Sequence, residues 1–372
     1  MRHLFLVVAC GLLLVAGPAV AEDKPKPNTL TPKEIADGWL LLFDGEAPFG
    51  WKIDGGATVK DGALVLGGEK ETTAIFTTPL SVGELRLEAI GGGHIKFQTA
   101  NSSVNLGGPV SNQPTQLTLT LQHAQGAAGV NCTKTIVGEV TQMTFGVTTS
   151  GPPLLQLVVP AGKVHTVHSV KFKPDGLKPL FNGKDLTGWK VYTAEPKRSA
   201  TKYEVTKDGE LSAKNGPGDL QTEGQWADFV LQLECKTNGK WLNSGVFFRC
   251  LPDKYQQGYE AQIHNGYLGD PTKPADYGTG AIYNRVKARK VVSNDNEWFT
   301  MTVVATGAHI STWVNGYQTV DWTDDRKVAE NARQGLKTGK GHLSIQGHDP
   351  TTDLLFRNIR LAELAGEGAK KE

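Results

Sequence analysis

The chain is short of three things: long apolar runs, an excess of either charge, and cysteine. Past the first 21 residues nothing approaches the roughly 20 consecutive apolar residues that a membrane-crossing helix needs, so no transmembrane segment is expected in the remainder of the 372 residues. Lys and Arg number 39 against 38 Asp and Glu. A balance so even supplies no field for nucleic acid or an anionic lipid surface, and a near-neutral, sugar-like partner fits it better. Of four cysteines, no two stand at metal-ligand spacing. Cys235 and Cys250 fall near the outer ends of consecutive expected strands, where they read equally as a bond across a hairpin or as small buried thiols.

Glycine, at 44 residues, is plentiful while methionine stops at 3. Runs of Val, Thr, Phe and Trp broken by Asn-Gly and Asp-Gly pairs point to an all-β protein with tight turns. The start, "MRHLFLVVACGLLLVAGPAVA", has a basic end, an apolar run and a small-residue Ala19-Val20-Ala21 close, the layout of a signal peptide over 1–21. Cys10 reads as part of that signal rather than as a lipid-attachment site, because too short an apolar segment precedes it. The expected product is exported to the periplasm or beyond.

Residues 22–37 read as a Pro- and Lys-rich spacer and one short helix, with Thr31 as cap, Pro32 in the first turn, Glu34 completing a capping box and Gly38 as the stop. Two echoes then divide the chain: "LFDGEAPFGW" at 42–51 and "LFNGKDLTGW" at 180–189. Strand-like runs follow each in the same order, "GALVLGG" answered by "GELSAKN", "GELRLEA" by "DFVLQLECK", "HIKFQTA" by "NSGVFFRC". The expected organisation is a shorter domain at 38–172, a linker at 173–179, a larger domain at 180–363 and a polar tail at 364–372. Many short strands without intervening helices favour two stacked sheets per domain, a sandwich or jelly roll.

Alternation along a strand sorts side chains onto two faces. In "YEAQIHN" Glu260, Gln262 and His264 share one side; in "LSIQGHD" Ser344, Gln346 and His348 do; in "NSGVFFR" Asn243, Phe247 and Arg249 do. Brought to one sheet, these residues make a groove suited to sugar. Each stripe alone reads equally as the solvated face of an antiparallel sheet. Trp189, Trp226, Trp298, Trp313 and Trp322 read as core, and "KARK" at 287–290 as an exposed loop.

In order across residues 177–363, "LFNGKDLTGW", "NSGVFFR", "GYEAQIHN", "TGAIYN", "EWFTMTV", "WVNG" and "LSIQGHD…LLFRNIRL" resemble the 3-keto-disaccharide hydrolase domain family. The resemblance implies two concanavalin A-like jelly-roll β-sandwich domains in tandem, the first a diverged copy. It also implies action on an oligosaccharide or glycoside already oxidised at C3 by a separate sugar 3-dehydrogenase: proton removal from C2, β-elimination of the group on C1, then hydration. On this chain the family's Glu-x-Gln strand falls at Glu260 and Gln262, its Asn-Ser-Gly-x-x-x-Arg strand at Asn243 and Arg249, and its Gln-x-His at Gln346 and His348. Glu260 or a histidine is the candidate base; Arg249, His348 and a divalent cation are candidates for polarising the ketone, the cation's ligands being unassigned. Phe247, Gln262, His264, Asn243 and Gln346 are candidate substrate contacts. The first copy offers neither Asn-Ser-Gly, nor arginine, nor a matching carboxylate, and reads as a scaffold or binding module. The competing class is a non-catalytic, lectin-like envelope protein, since jelly rolls host both.

Overall fold

A computed structural model describes residues 28–98, 103–105, 107, 110–123, 129–136, 139–148 and 153–364. The expected signal segment, Cys10 and residues 365–372 of the tail lie outside the described residues. The helix forms at Pro32–Ala36 as its capping box requires: the Glu34 amide donates to Thr31 Oγ1 at 3.1 Å and the Thr31 amide to Glu34 Oε2 at 2.8 Å.

Everything else of length is antiparallel strand. In the second half the smaller sheet runs, in spatial order, Trp189–Val191, Gly218–Thr222, His342–Gly347, Ser244–Cys250 and Tyr259–Ile263. The larger runs Lys202–Val205, Leu211–Lys214, Asp353–Glu363, Phe229–Thr237, Phe299–Thr306, His309–Val314 and Tyr317–Thr323, with Lys178–Pro179 beside Asp353–Glu363. Among the described residues the first half repeats this topology strand for strand. There the larger sheet runs Ala57–Lys60, Ala63–Gly67, Val164–Pro174, Gly83–Gly92, Val110–His123, Gly129–Ile136 and Glu139–Thr148, and the smaller Trp51–Asp54, Thr72–Phe76, Leu154–Val159, His94–Gln98 and Ser103–Asn105. Apolar side chains from both sheets, among them Leu231, Phe299 and Met301 against Phe248, Tyr259 and Ile345, close the second core. The fold is thus all-β, two concanavalin A-like jelly-roll sandwiches in tandem. Asn315 and Gly316, at φ 49° and 75°, make the left-handed pair that a tight hairpin between the last two strands of the larger sheet demands.

Cys235 and Cys250 do not meet across a hairpin. Their strands, though consecutive, belong to opposite sheets, and both thiols are free and buried, with burial raising their pKa. Cys132 lies in the strand Gly129–Ile136.

The echoed motif does the same local work twice. The indole Nε1 of Trp51 donates to the Leu42 carbonyl and that of Trp189 to the Leu180 carbonyl, at 2.6 and 2.9 Å. Asp44 Oδ1 accepts from the amides of Glu46 and Ala47, and Asn182 Oδ1 from those of Lys184 and Asp185, the local turn that short Asx side chains favour. Where the copies differ, the first one reaches across to the second half. Asp44, matching Asn182, pairs with Arg289; Glu46, matching Lys184, pairs with Lys290 and accepts from the Tyr317 hydroxyl; Phe49, matching Thr187, lies 4.4 Å under the Arg289 guanidinium, whose other neighbour is the Tyr317 ring at 4.3 Å. The segment "KARK" is therefore a clamped element and not an exposed loop.

Behind this clamp the first half covers the outward face of the second half's larger sheet. Leu40, Leu42, Phe76 and Leu80 share a core with Val230, Val304 and Trp313, the Trp313 indole donates to the Leu41 carbonyl at 3.0 Å, and Thr77 Oγ1 donates to Asp321 at 2.7 Å. Truncating Trp313 to Ala should cost about 3–5 kcal/mol. Asp44→Asn keeps the turn acceptor but removes the charge facing Arg289. Hydrogen exchange in segment 264–298 should then quicken several-fold while strand His342–Gly347 stays protected; unchanged exchange would show that the clamp does not hold that segment.

Candidate active site

Strand register gathers the expected face. Phe247 stands opposite Glu260 on one side and Ser344 on the other, Ser344 opposite Gln221, Gly245 opposite Gln262, and Asp219 opposite Gln346. Directly opposed residues point the same way, so Glu260, Phe247, Gln262, Ser344, Gln346, Asp219 and Gln221 share one surface. Their neighbours Tyr259, Ala261, Ile263, Val246, Phe248, Leu343 and Ile345 fill the core behind it.

Glu260 is the chemical centre of this face. It lies over Gly245, where an added Cβ would come within 2.6 Å of Oε1 and 2.8 Å of Cγ. The glycine of Asn-Ser-Gly thus provides the space that the carboxyl occupies. Glu260 Oε2 accepts from Arg333 Nη2 at 3.3 Å, and the same guanidinium caps the Phe247 ring at 5.3 Å. Burial pushes the Glu260 pKa up to about 8; Arg333 opposes that rise while Asp276 and Asp219 add to it. Asp219, fully buried, is pushed by burial to about 7 although it accepts from the Gln256 amide.

The stripe is less open than the alternation implied. Segment 251–258 lies on it through Gln221 Nε2 to the Lys254 carbonyl at 2.9 Å and the Gln256 amide to Asp219 at 3.1 Å, and Arg333 Nε in turn donates to the Gln256 carbonyl at 2.8 Å. The far end is open, where Asp276 and His348 are exposed and Asn243 is half-buried. Asp276 Oδ2 accepts from Asn243 Nδ2 at 2.6 Å and from Gln262 Nε2 at 3.0 Å. Gln262 Oε1 and Gln346 Oε1 are buried without a partner. Burial lowers the His264 pKa, with Asp276 and Asp295 opposing the shift. His348 sits on the rim with Nδ1 2.8 Å from Asp349. Asn265 faces the supporting loops, bonding Thr279, Ser293, Thr237 and Asp295.

Arg249 does not join the face. The register breaks between Phe247 and Cys250, Arg249 takes φ 52°, and its guanidinium is fully buried on the carbonyls of Ala227, Gly307 and Lys337 and on Asp228. A bulge restarts alternation, so counting by twos past Phe247 put Arg249 on the wrong side. Its role is to tie strand ends together, and the cation beside Glu260 is Arg333. Neither Arg333 nor Asp276 lies on a strand, so no periodicity marked them; the only signal for Asp276 was its place four residues before the "GAIYN" run. Among the described residues no group of three or more His, Cys, Asp or Glu side chains is gathered for a metal ion.

The profile of the 3-keto-alpha-glucoside-1,2-lyase-like domain matches residues 176–362, half of the chain. The chain belongs to that family. No curated protein matches it. Among solved structures it is similar to two candidate glycosyl hydrolases of Parabacteroides distasonis ATCC 8503. One is 22% identical, covering 50% of this chain and 94% of that one at a TM-score of 0.42; the other is 27% identical, covering 51% and 100% at 0.39. A carbohydrate-binding module of Bacillus subtilis is 14% identical, covering 46% and 93% at 0.34. On the strands of the first sandwich that answer Ser244–Cys250 and Tyr259–Ile263, the described face carries His94, Lys96, Gln98, Ser103 and Asn105 and no carboxylate.

Two measurements check this geometry. Gly245→Ala should dislodge Glu260 and abolish any function that depends on it, with the fold retained by circular dichroism. A carboxyl whose pKa is higher folded than unfolded contributes stability that is full below its unfolded value and lost as pH rises through the folded one. Wild-type melting temperature should therefore fall, relative to Glu260→Gln, between about pH 4.5 and 8; a constant difference across that window would refute the buried carboxyl.

Proposed function

We propose that the second sandwich eliminates the C1 substituent of glycosides bearing a ketone at C3, with water then adding to the unsaturated product. The observation that carries this reading is Glu260: a carboxyl lifted by burial to about 8 and held against one guanidinium, on a face whose second carboxyl, Asp219, is fully buried beneath segment 251–258. A base of raised pKa is a stronger proton acceptor when ionised. In the proposed step the Glu260 carboxylate takes the proton from C2, the electron pair moves into the C3 carbonyl as an enolate, and its return forms C1=C2 as the C1–O bond breaks. The proton passes to the departing oxygen, so the elimination balances without any other reactant. His348 and His264 lie toward the open end, on the leaving-group side, where they can donate to its oxygens, and the unpartnered amide oxygens of Gln262 and Gln346 suit sugar hydroxyls. A lectin would need no titratable group buried at its centre. Supply of the C3 ketone requires prior oxidation of a secondary alcohol, so an upstream sugar 3-dehydrogenase belongs to the proposal, as does export, which rests on residues 1–21.

The test is product formation from a 3-keto-disaccharide and its unoxidised parent, with and without chelator. Only the keto sugar should be consumed, and Glu260→Gln should lower the rate by about 10²–10⁴-fold; cleavage of the parent, or full activity in the variant, would sink the mechanism. The rate should rise with pH and level off above about 8. Arg333→Met removes the charge that favours ionised Glu260, so this limb should move to higher pH, with the rate at pH 7 falling about tenfold per unit moved.

A further inference from the structure

Seven of the eight tryptophans are buried or partly covered; Trp241 is 44% exposed. It stands on a left-handed backbone at φ 55°, a conformation that costs a bulky residue about 1 kcal/mol or more. The strain is held in place from several sides. The Trp241 amide donates to Asp295 Oδ2 at 2.9 Å, and Asp295 Oδ1 is fixed by Thr237 Oγ1 and Asn265 Nδ2, both at 3.1 Å. The ring lies against Gly266, where an added Cβ would stand 2.8 Å from Cδ2, and beside His264, ring centroids 6.3 Å apart. The chain thus spends backbone strain and a glycine to hold an indole at the edge of the Glu260 face without burying it.

We propose that Trp241 is the residue of this chain that forms the platform on which the leaving sugar of a disaccharide substrate stacks; this rests on the elimination reading above. His264 lies four residues from Glu260 along one extended segment, about 13 Å at the rise of a strand, enough for two rings laid side by side. The ring that reacts occupies Glu260 and Gln262, and the next one occupies His264 and Trp241. A pyranose has a C–H-rich face and a rim of hydroxyls. The indole, with Lys240 Nζ 5.1 Å from its ring centroid, supplies the flat apolar surface, while Asn243, Asp276 and His348 supply polar partners at the open end of the face. His264 Nδ1 accepts from the Gly266 amide at 3.3 Å, which leaves the proton of the neutral imidazole on Nε2, a donor for a hydroxyl.

The experiment compares Trp241→Asn, a residue at ease with positive φ, and Trp241→Phe with wild type. Substrates are a 3-keto-disaccharide and the methyl glycoside of the same 3-keto sugar. Trp241→Asn should raise KM for the disaccharide about tenfold or more, leave the methyl glycoside within about twofold, and be largely rescued in Trp241→Phe. Equal effects on both substrates, or none, would overturn the platform. Calorimetric binding of the unoxidised disaccharide, with melting temperature as the folding control, needs no turnover. If the disaccharide binds wild type and not Trp241→Asn while neither cleaves keto sugar, the platform stands and the elimination falls. Binding equal in the two, or absent from both, overturns the platform.

Discussion

The pleat of the smaller sheet in the second sandwich is the constraint on which the rest depends. Tyr259, Ala261 and Ile263 must enter the core with Val246, Phe248 and Ile345, and this obliges Glu260 and Gln262 to point the other way. Four strands obey one register, so Glu260, Phe247, Asp219 and the amides of Gln262, Gln346 and Gln221 arrive on one surface from strands far apart in the chain. Gly245 adds the missing dimension, leaving room above the sheet for Glu260 to lie down.

That surface carries its polar groups at an energetic cost. Asp219 Oδ1, Ser344 Oγ, Gln262 Oε1 and Gln346 Oε1 are buried without partners, each a liability of about 1–3 kcal/mol. Two carboxyls with raised pKa values add to it. A sheet selected for stability alone would place apolar or fully paired groups there; on the proposed function, sugar hydroxyls would pair Gln262 Oε1 and Gln346 Oε1. Arg333 links the two acidic groups through one residue: the Gln256 amide donates to Asp219 and its carbonyl accepts from Arg333, which reaches Glu260. The segment lying over the face is thereby tied to the groups beneath it.

The two halves show what duplication preserves. Residues common to the echoed motifs, Leu, Phe, Gly and Trp, are those that close the indole-to-carbonyl bond and the turn. Residues that differ, Asp44, Glu46 and Phe49, grip Arg289 and Lys290. Among the described residues, the first sandwich's answering strands carry no matching carboxylate, and its contacts meet the outward side of the larger sheet and the segment 264–298.

The capping box at Thr31 and Glu34, the Asn315-Gly316 turn, the paired motifs and the two-sided strands were all legible from the chain, because each depends on neighbours within a few residues. So was the grouping of Glu260, Gln262, Phe247 and Gln346, since alternation plus one register suffices. What only the tertiary structure decided lies where periodicity stops. A bulge turned Arg249 into the fold, loops brought Arg333 and Asp276 to the carboxyl, sheet membership separated Cys235 from Cys250, and a strained backbone left Trp241 in the open. Local sequence specifies local hydrogen bonding and pleat; burial, and therefore the pKa of Glu260, is set by groups distant in the chain, which only the folded packing brings within reach.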